Sequence, residues 1–230
     1  MIATPPADWA PPDAIAGRVA RLERLRPDHA ARLWPALEGH GDVWRWLFEG
    51  PFERAADHAA LIARQAASAD PAFYAIHDGT AWTGVASLMR IDRAQGTIEI
   101  GNVCLSPALQ RTTAATDALA AMAGAAFDAG FRRLEWKCNA RNGPSRRAAR
   151  RLGYAYEGTF RQHMIVKGAS RDTAWYAILD AEWPAIRAVL AAWLDGAAAG
   201  AQPFALSARM AEAVAGLGRP AVPDPSDPPA

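Results

Sequence analysis

The stretch SPALQRTTAATDAL, Ser106 to Leu119, reads as the end of a strand, a sharp turn and the start of a helix. That geometry offers backbone N–H groups and the positive end of a helix dipole to a phosphate. Turns that hold phosphate are usually rich in glycine, and this one has none. Glycine is required only where φ is positive or a Cβ would collide. A turn that enters its helix with negative φ supplies the same amides from Arg111, Thr112, Thr113, Ala114 and Ala115. The hydroxyls of Thr112 and Thr113 suit a helix cap or a phosphate contact, and Arg111 adds a charge nearby. The plainer alternative is an ordinary threonine-capped helix.

The elements around this turn follow from periodicity and punctuation. AFYAIH, TGVASLMRI and TIEIGNVCL are strand-like runs separated by Asp78-Gly79 and by DRAQG, which predicts three antiparallel neighbours. After the turn, Leu119, Met122, Ala123 and Ala126 share one face of a helix over Thr113 to Ala129, with Gly130 as its stop. FRRLEWKC reads as a strand, NGPSRRAARRLGY as a short helix closed by Gly153, and YAYEGTFRQHMIVKG and DTAWYAILD as two more strands. Upstream, Val19, Leu22 and Leu25 follow a helical period, but the same stretch equally suits an edge strand ending at Arg26-Pro27. Helices are predicted after Pro27, from about Glu53, and from about Pro184 to Leu194.

The totals narrow the class. A chain of 230 residues, 51% hydrophobic, builds a sizeable core; a net charge of +1 argues against nucleic acid as a partner. Cys104 and Cys138 form no paired motif, which suits two free thiols in a reducing cytoplasm. The N-terminus lacks the basic and apolar regions of a signal peptide, and the longest apolar stretch, Ala118 to Phe127, is too short for a membrane span. Residues 1–16 and 211–230 are proline-rich and are expected to be poorly ordered, leaving a single domain over 17–210.

Taken in order, EIGNVCLSP, QRTTAATDA, EWKCNARNGPSRRAARRLGY, EGTFRQHM and RDTAWYAIL resemble the GNAT family of acyl-CoA N-acetyltransferases, in its RimJ/RimL-like branch. The resemblance implies an α/β GNAT fold: a mixed, mostly antiparallel sheet of about seven strands with helices on both faces. It also implies direct transfer of acetyl from acetyl-CoA to a primary amine, with no covalent enzyme intermediate and no metal. The acceptor would be a protein N-terminus or a small-molecule amine, and the enzyme a monomer or homodimer away from membranes.

Residue by residue, the resemblance places the family's Q/R-x-x-G-x-G/A turn on Gln110 to Ala115, with Thr113 at the glycine position and Thr116 following. The backbone of Val103, Cys104 and Leu105 would meet the pantetheine arm where their strand splays from LEWKC, and one of their amides would polarise the acetyl carbonyl. Asn142 would bind the arm. Ser145 would stand near the sulfur and pass a proton to the departing thiolate, because Ala149 occupies the place of the family's usual tyrosine acid. Glu99, Glu135 and His163 are candidates to take the amine's proton, each with a structural role as its alternative. Trp44, Trp46, Phe52 and Asn102, with His163, would line the acceptor side, unless the aromatic rings simply form a packed lid. Asp172 and Tyr176 match a late D-x-x-x-Y/F pattern. Two rival readings are a GNAT-fold sensor that binds acyl-CoA without catalysis and a cysteine hydrolase using Cys138 and His163.

Overall fold

The computed structural model describes residues 4–201, 205–219 and 222. The chain divides into two compact units, Met1–Phe131 and Arg132–Ala230.

In the first unit, five strands run in sequence order across a sheet: β1 (Ala14–Ala16), β2 (Arg21–Arg24), β3 (Ala72–His77), β4 (Trp82–Asp92) and β5 (Thr97–Leu105). Every pairing among them is antiparallel. β2 resolves the ambiguity around Leu22 in favour of a strand: that side chain is fully buried, and its neighbours Arg21 and Glu23 form an ion pair. Helices α1 (His29–Leu37) and α2 (Ala55–Ala66) bury Leu33, Leu37, Leu61 and Ile62 in one core with Phe73, Ala75, Val85 and Cys104. A 3-10 turn, Gly41–Trp44, lies between them.

Helix α3 (Thr113–Asp128) is bounded by chemistry readable in the sequence. Thr112 caps its start. At its end Gly130 takes φ +91°, the Phe131 amide donates to the Ala126 carbonyl and the Gly130 amide to that of Phe127. These two bonds are a Schellman ending. Buried Asp117 on this helix accepts the amides of Val19 (2.7 Å) and Ala20 (2.9 Å), fixing the β1–β2 connection to it.

In the second unit, β6 (Arg133–Asn139), β8 (Ala169–Leu179) and β7 (Ala155–Val166) pair antiparallel in that order. Helix α4 (Gly143–Arg151) follows β6, and α5 (Trp183–Ala198) and α6 (Leu206–Ala215) follow β8.

The described residues therefore carry eight strands where about seven were expected. The additional strand, β1, forms inside the proline-rich start because Ile15 is buried and Ala14–Ala16 pair with Arg21–Glu23. Trp9 also packs edge-on against Phe131, and Tyr74 donates its hydroxyl to the Pro12 carbonyl. The expectation of disorder over 1–16 thus fails where apolar side chains find the core. The tail differs similarly. α6 includes residues 211–215, and Arg219 forks onto Glu182 at 2.7 and 2.8 Å. Residues 1–3, 220–221 and 223–230 lie outside the described residues. Among the described residues no helix is long and apolar enough to cross a membrane.

Candidate active site

The turn after β5 is built by side chains that hold backbone. Ser106 Oγ accepts the Leu109 amide at 3.3 Å, and Gln110 Nε2 donates to the Leu105 carbonyl at 2.9 Å. Gln110 is thus a clamp on the end of the strand. Thr112 Oγ1 accepts the Ala115 amide at 3.1 Å, which satisfies one of the four orphan donors of α3. Ala115 therefore has no amide left for a ligand. Thr116 is fully buried and its hydroxyl turns back to the Thr112 carbonyl, so its side chain belongs to the helix.

The amides of Arg111, Thr113 and Ala114 make no hydrogen bond among the described residues. They point to the same helix start as the dipole's positive end. The positive φ that the glycine-free sequence was expected to avoid is present, but two residues earlier: Arg111 has φ +63°, while Thr113 lies within the helix. The left-handed residue is thus displaced from the family's glycine position. The amide of Thr112 between them donates to the Leu109 carbonyl at 3.4 Å, so the free donors are that of left-handed Arg111 and the consecutive pair of Thr113 and Ala114, a cluster of N–H groups suited to an anion.

β5 is bulged just before this turn. Val85 pairs with Cys104 and Ser87 with Gly101, so Asn102 and Val103 together oppose Ala86. Asn102 takes φ +51°, a conformation asparagine tolerates better than most residues. Its Nδ2 donates to Ser87 Oγ at 3.0 Å, and Ser87 Oγ donates to the Gly101 carbonyl at 3.1 Å. A bulge leaves backbone unpaired and re-aims side chains, a recurrent device beside active sites. The Cys104 side chain itself is buried in the core, and burial pushes its thiol up to about 12.

The face of the bulge opens on a cavity of about 40 Å³ within the first unit. Asn102 and Cys104 line one side; Trp44, Phe48 and Glu49 line another, and His58, Leu61, Ile62 and Gln65 of α2 a third. Trp44 is packed edge-on against Phe52 at 4.9 Å. A Cβ at Gly50, where φ is +73°, would lie 2.7 Å from the Trp44 ring, so the turn into GPF needs glycine twice over. Trp44 and Asn102 both line this cavity. Phe52 supports it from behind, and Trp46 instead receives Arg45 over its ring at 4.9 Å.

His58 was not foreseen. It is fully buried, and neither ring nitrogen has a hydrogen-bond partner among the described residues. Burial lowers its pKa, so the ring is neutral. Leaving a buried polar group unmet costs about 1–3 kcal/mol. A signal was present in the sequence: His58, Leu61, Ile62 and Gln65 stand at i, i+3, i+4 and i+7, one face of a helix.

Glu99, on β5, is 5% exposed, with Arg90 Nε 3.6 Å from its Oε2. In the second unit, Glu135 touches Arg133 Nε at 2.8 Å and Lys137 Nζ at 2.7 Å. Burial on its own would raise this carboxyl, but the bonds from Lys137 and Arg133 outweigh it and hold the group below the usual carboxylate range. Such a carboxylate is a poor proton acceptor.

Asn142 caps α4, its Oδ1 accepting the Ser145 amide at 3.1 Å. Ser145 Oγ accepts the indole N–H of Trp136 at 3.0 Å. Arg146 is buried and committed to Tyr176 Oη (3.0 Å) and the Ala140 carbonyl (2.8 Å), which also gives Tyr176 a structural role. Asp172 accepts the Gln162 amide at 2.7 Å. His163 is exposed on β7, with Nδ1 3.0 Å from Thr173 Oγ1. Cys138 is buried and its thiol is pushed up by that burial.

These features have counterparts in known proteins. The family profile described as "Acetyltransferase (GNAT) domain" matches residues 20–155, more than half the chain. A GCN5-related N-acetyltransferase from Brucella melitensis is 40% identical, over 88% of this chain and 98% of its own, with a TM-score of 0.82. A probable GNAT-family acetyltransferase from Chromobacterium violaceum is 39% identical, over 78% of this chain and 94% of its own, with a TM-score of 0.72. No curated protein matches the chain. Family profile, solved relatives and the strand–bulge–turn–helix geometry agree: this chain belongs to the GNAT family and is an acetyltransferase of the acetyl-CoA-using kind.

Proposed function

We propose that this acetyltransferase moves acetyl from acetyl-CoA directly to a primary amine, on a protein N-terminus or a small molecule, in the cytoplasm, as a RimJ/RimL-like member of its family. The observation that carries the reading is the set of unpartnered amides at Arg111, Thr113 and Ala114, where a helix start follows a bulged strand. They suit the pyrophosphate. Asn142 binds the pantetheine arm through its amide NH2, because its Oδ1 is engaged by Ser145.

An amide of the Val103–Leu105 segment polarises the acetyl carbonyl as the amine attacks. The C–N bond forms, the C–S bond breaks, and the sulfur leaves as thiolate. Ser145 keeps its hydroxyl proton after accepting from Trp136; it turns that proton from Cys138 to the departing sulfur and is reprotonated by solvent water. Glu99 suits the amine's proton better than Glu135, whose two cations compete for the same lone pairs. Family membership disfavours the non-catalytic sensor, and the buried, up-shifted Cys138 thiol disfavours the cysteine hydrolase.

The test is a thermal-shift titration with acetyl-CoA and with acetyl-pantetheine, followed by an amine screen reading free thiol. Acetyl-CoA at 100 times Kd should stabilise the fold by about 2.7 kcal/mol. Acetyl-pantetheine, lacking the pyrophosphate, should do far less. No shift at millimolar acetyl-CoA, or equal shifts from both compounds, overturns the phosphate assignment.

A further inference from the structure

Asn102 kinks the strand that leads to the cofactor turn, and its side chain is tied at one end only. Nδ2 donates to Ser87 Oγ at 3.0 Å and lies 3.5 Å from Met89 Sδ. Oδ1 makes no hydrogen bond among the described residues, and it is not one of the polar atoms that burial seals off.

The carboxamide is held that way round. Ser87 is fully buried, and its one hydroxyl proton goes to the Gly101 carbonyl at 3.1 Å. A carbonyl only accepts, so Ser87 Oγ is left to accept in turn, and the NH2 end of Asn102 must face it. The relay from Asn102 Nδ2 through Ser87 Oγ to the Gly101 carbonyl therefore decides which end of the carboxamide stays free, and that end is the acceptor.

Asn102 lines the cavity together with Trp44 and Phe48, and Phe48, 50% exposed, brings that cavity to the surface. Oδ1 is the part of Asn102 with hydrogen-bonding capacity left for an occupant. A volume of about 40 Å³ exceeds the roughly 10–15 Å³ that holds one water, and an amino group is the size of a water. Whatever carries the amino group stays outside.

The position gives the oxygen a use. Val103 follows directly, and in the acetyl-transfer reading an amide of Val103–Leu105 polarises the acetyl carbonyl. The bulge sets Asn102 and Val103 together opposite Ala86, so the carboxamide and the polarising segment share one kink. Asn102 keeps an uncommon φ of +51° to stand there. Its oxygen is also neutral. It takes an N–H without holding the amine as an ammonium, whereas a carboxylate in its place would favour the ammonium, which has no lone pair for attack.

We propose that Asn102 binds the acceptor: Oδ1 accepts one N–H of the attacking primary amine and leaves the nitrogen lone pair free for the acetyl carbon, while Ser87 is the positioning residue that sets the polarity of the carboxamide. The proposal rests on the acetyl-transfer reading and deepens it.

The experiment uses the full-length protein and glycinamide, whose α-amino group titrates near 8, so that neutral and charged forms coexist at working pH. Thiol release gives KM for glycinamide and for acetyl-CoA separately, and calorimetry with CoA present gives glycinamide binding without turnover. Glycine adopts positive φ without strain, so Asn102→Gly should fold. It should raise the KM and Kd of glycinamide tenfold or more, with KM for acetyl-CoA within twofold. Asn102→Asp keeps the shape and adds a charge. It should bind glycinamide more tightly at pH 7 and move the acid limb of kcat upward by about one pH unit, because the bound amine is held as ammonium. Ser87→Ala should raise the KM of glycinamide about threefold or more. Adding it to Asn102→Gly should change that KM no further, since Ser87 acts only through Asn102. Unchanged glycinamide affinity in a folded Asn102→Gly overturns the proposal and leaves the oxygen to water. An unmoved kcat profile in Asn102→Asp overturns it too, as does glycinamide that does not bind wild type with CoA present. Additive effects of the two substitutions overturn the role given to Ser87. If Asn102→Gly does not fold, the Asn102→Asp profile decides alone. Acetyl-CoA that fails to bind, measured first by thermal shift, strikes the transfer reading and the proposal with it, so the two failures are told apart.

Discussion

Thr112 Oγ1 accepts the amide of Ala115 at 3.1 Å and so decides which amides of α3 remain for a ligand. The cap takes the third helical residue and leaves the first two, Thr113 and Ala114. Thr113 is therefore the position at which an amide can be deleted with least damage to the fold. Proline is at home in the first position of a helix. It also demands an extended residue before it, and Thr112 already has φ −95° and ψ 163°. Thr113→Pro should fold with a Tm near wild type and bind acetyl-CoA more weakly by about 1.5–3 kcal/mol, the worth of a hydrogen bond to a charged group. Thr113→Gly should bind normally. Calorimetry on both variants checks this, and normal binding by the proline variant would place the cradle elsewhere.

Acid should act through the β3–β4 turn. Asp78 Oδ1 accepts the amides of Thr80 (2.8 Å) and Ala81 (2.9 Å) and the Thr80 hydroxyl (2.7 Å), and Oδ2 accepts the Thr83 hydroxyl at 3.2 Å. Burial works to raise the carboxyl, but these bonds hold it at about 2. An unfolded aspartate titrates near 3.9. The folded value is the lower one, so this stability is fully present above about pH 4 and is lost as pH falls toward 2. Its size is at most about 2 kcal/mol, because the turn is partly exposed. Urea unfolding should show Asp78→Asn less stable than wild type at pH 6, with the two converging by pH 2. A gap that stays constant over that range would refute the assignment.

Both thiols should be inert in the folded protein. Burial pushes Cys104 to about 12, and pushes Cys138 up despite a hydrogen bond from Ser145 that works the other way. Iodoacetamide at pH 8 should label neither until the chain is unfolded, and should leave acetyl transfer intact. Rapid loss of activity on labelling would mean that a thiol is reached by solvent during turnover.

The readable parts of this protein are those set by local chemistry. The β3–β4 turn was visible in Asp78-Gly79, and α3 in its apolar face and Gly130. The bulge at Asn102 was not, because register belongs to two strands and one sequence shows only each by itself. Trp46 and Trp44 are two residues apart and look alike, but only Trp44 is buried, since Gly50 folds the chain back over its ring. Glu135 looked like a free carboxylate until its strand neighbours Arg133 and Lys137 turned their cations on it. His58 was passed over because a lone histidine in an alanine-rich helix carries no motif.

The indole of Trp136 and the hydroxyl of Ser145 set the last prediction, because one bond serves two purposes. Ser145→Ala removes the proposed acid and also orphans the Trp136 N–H, in a side chain only 4% exposed. The second effect should cost about 1–3 kcal/mol of stability. The first should lower kcat by roughly 10²-fold, the lower end for acid–base catalysis, because a thiolate with a pKa near 8.5 leaves tolerably well unaided. Trp136→Phe separates the two: it keeps the serine and removes the orphan, so kcat should fall far less than in Ser145→Ala. Restoring a tyrosine acid at Ala149 is not open, since that side chain is fully buried and a phenol there would overpack the core. Pre-steady-state rates with chemical denaturation on both variants test this. A Ser145→Ala enzyme that is destabilised yet transfers acetyl at the wild-type rate would leave Ser145 as a structural partner of Trp136 and Cys138, with water protonating the thiolate.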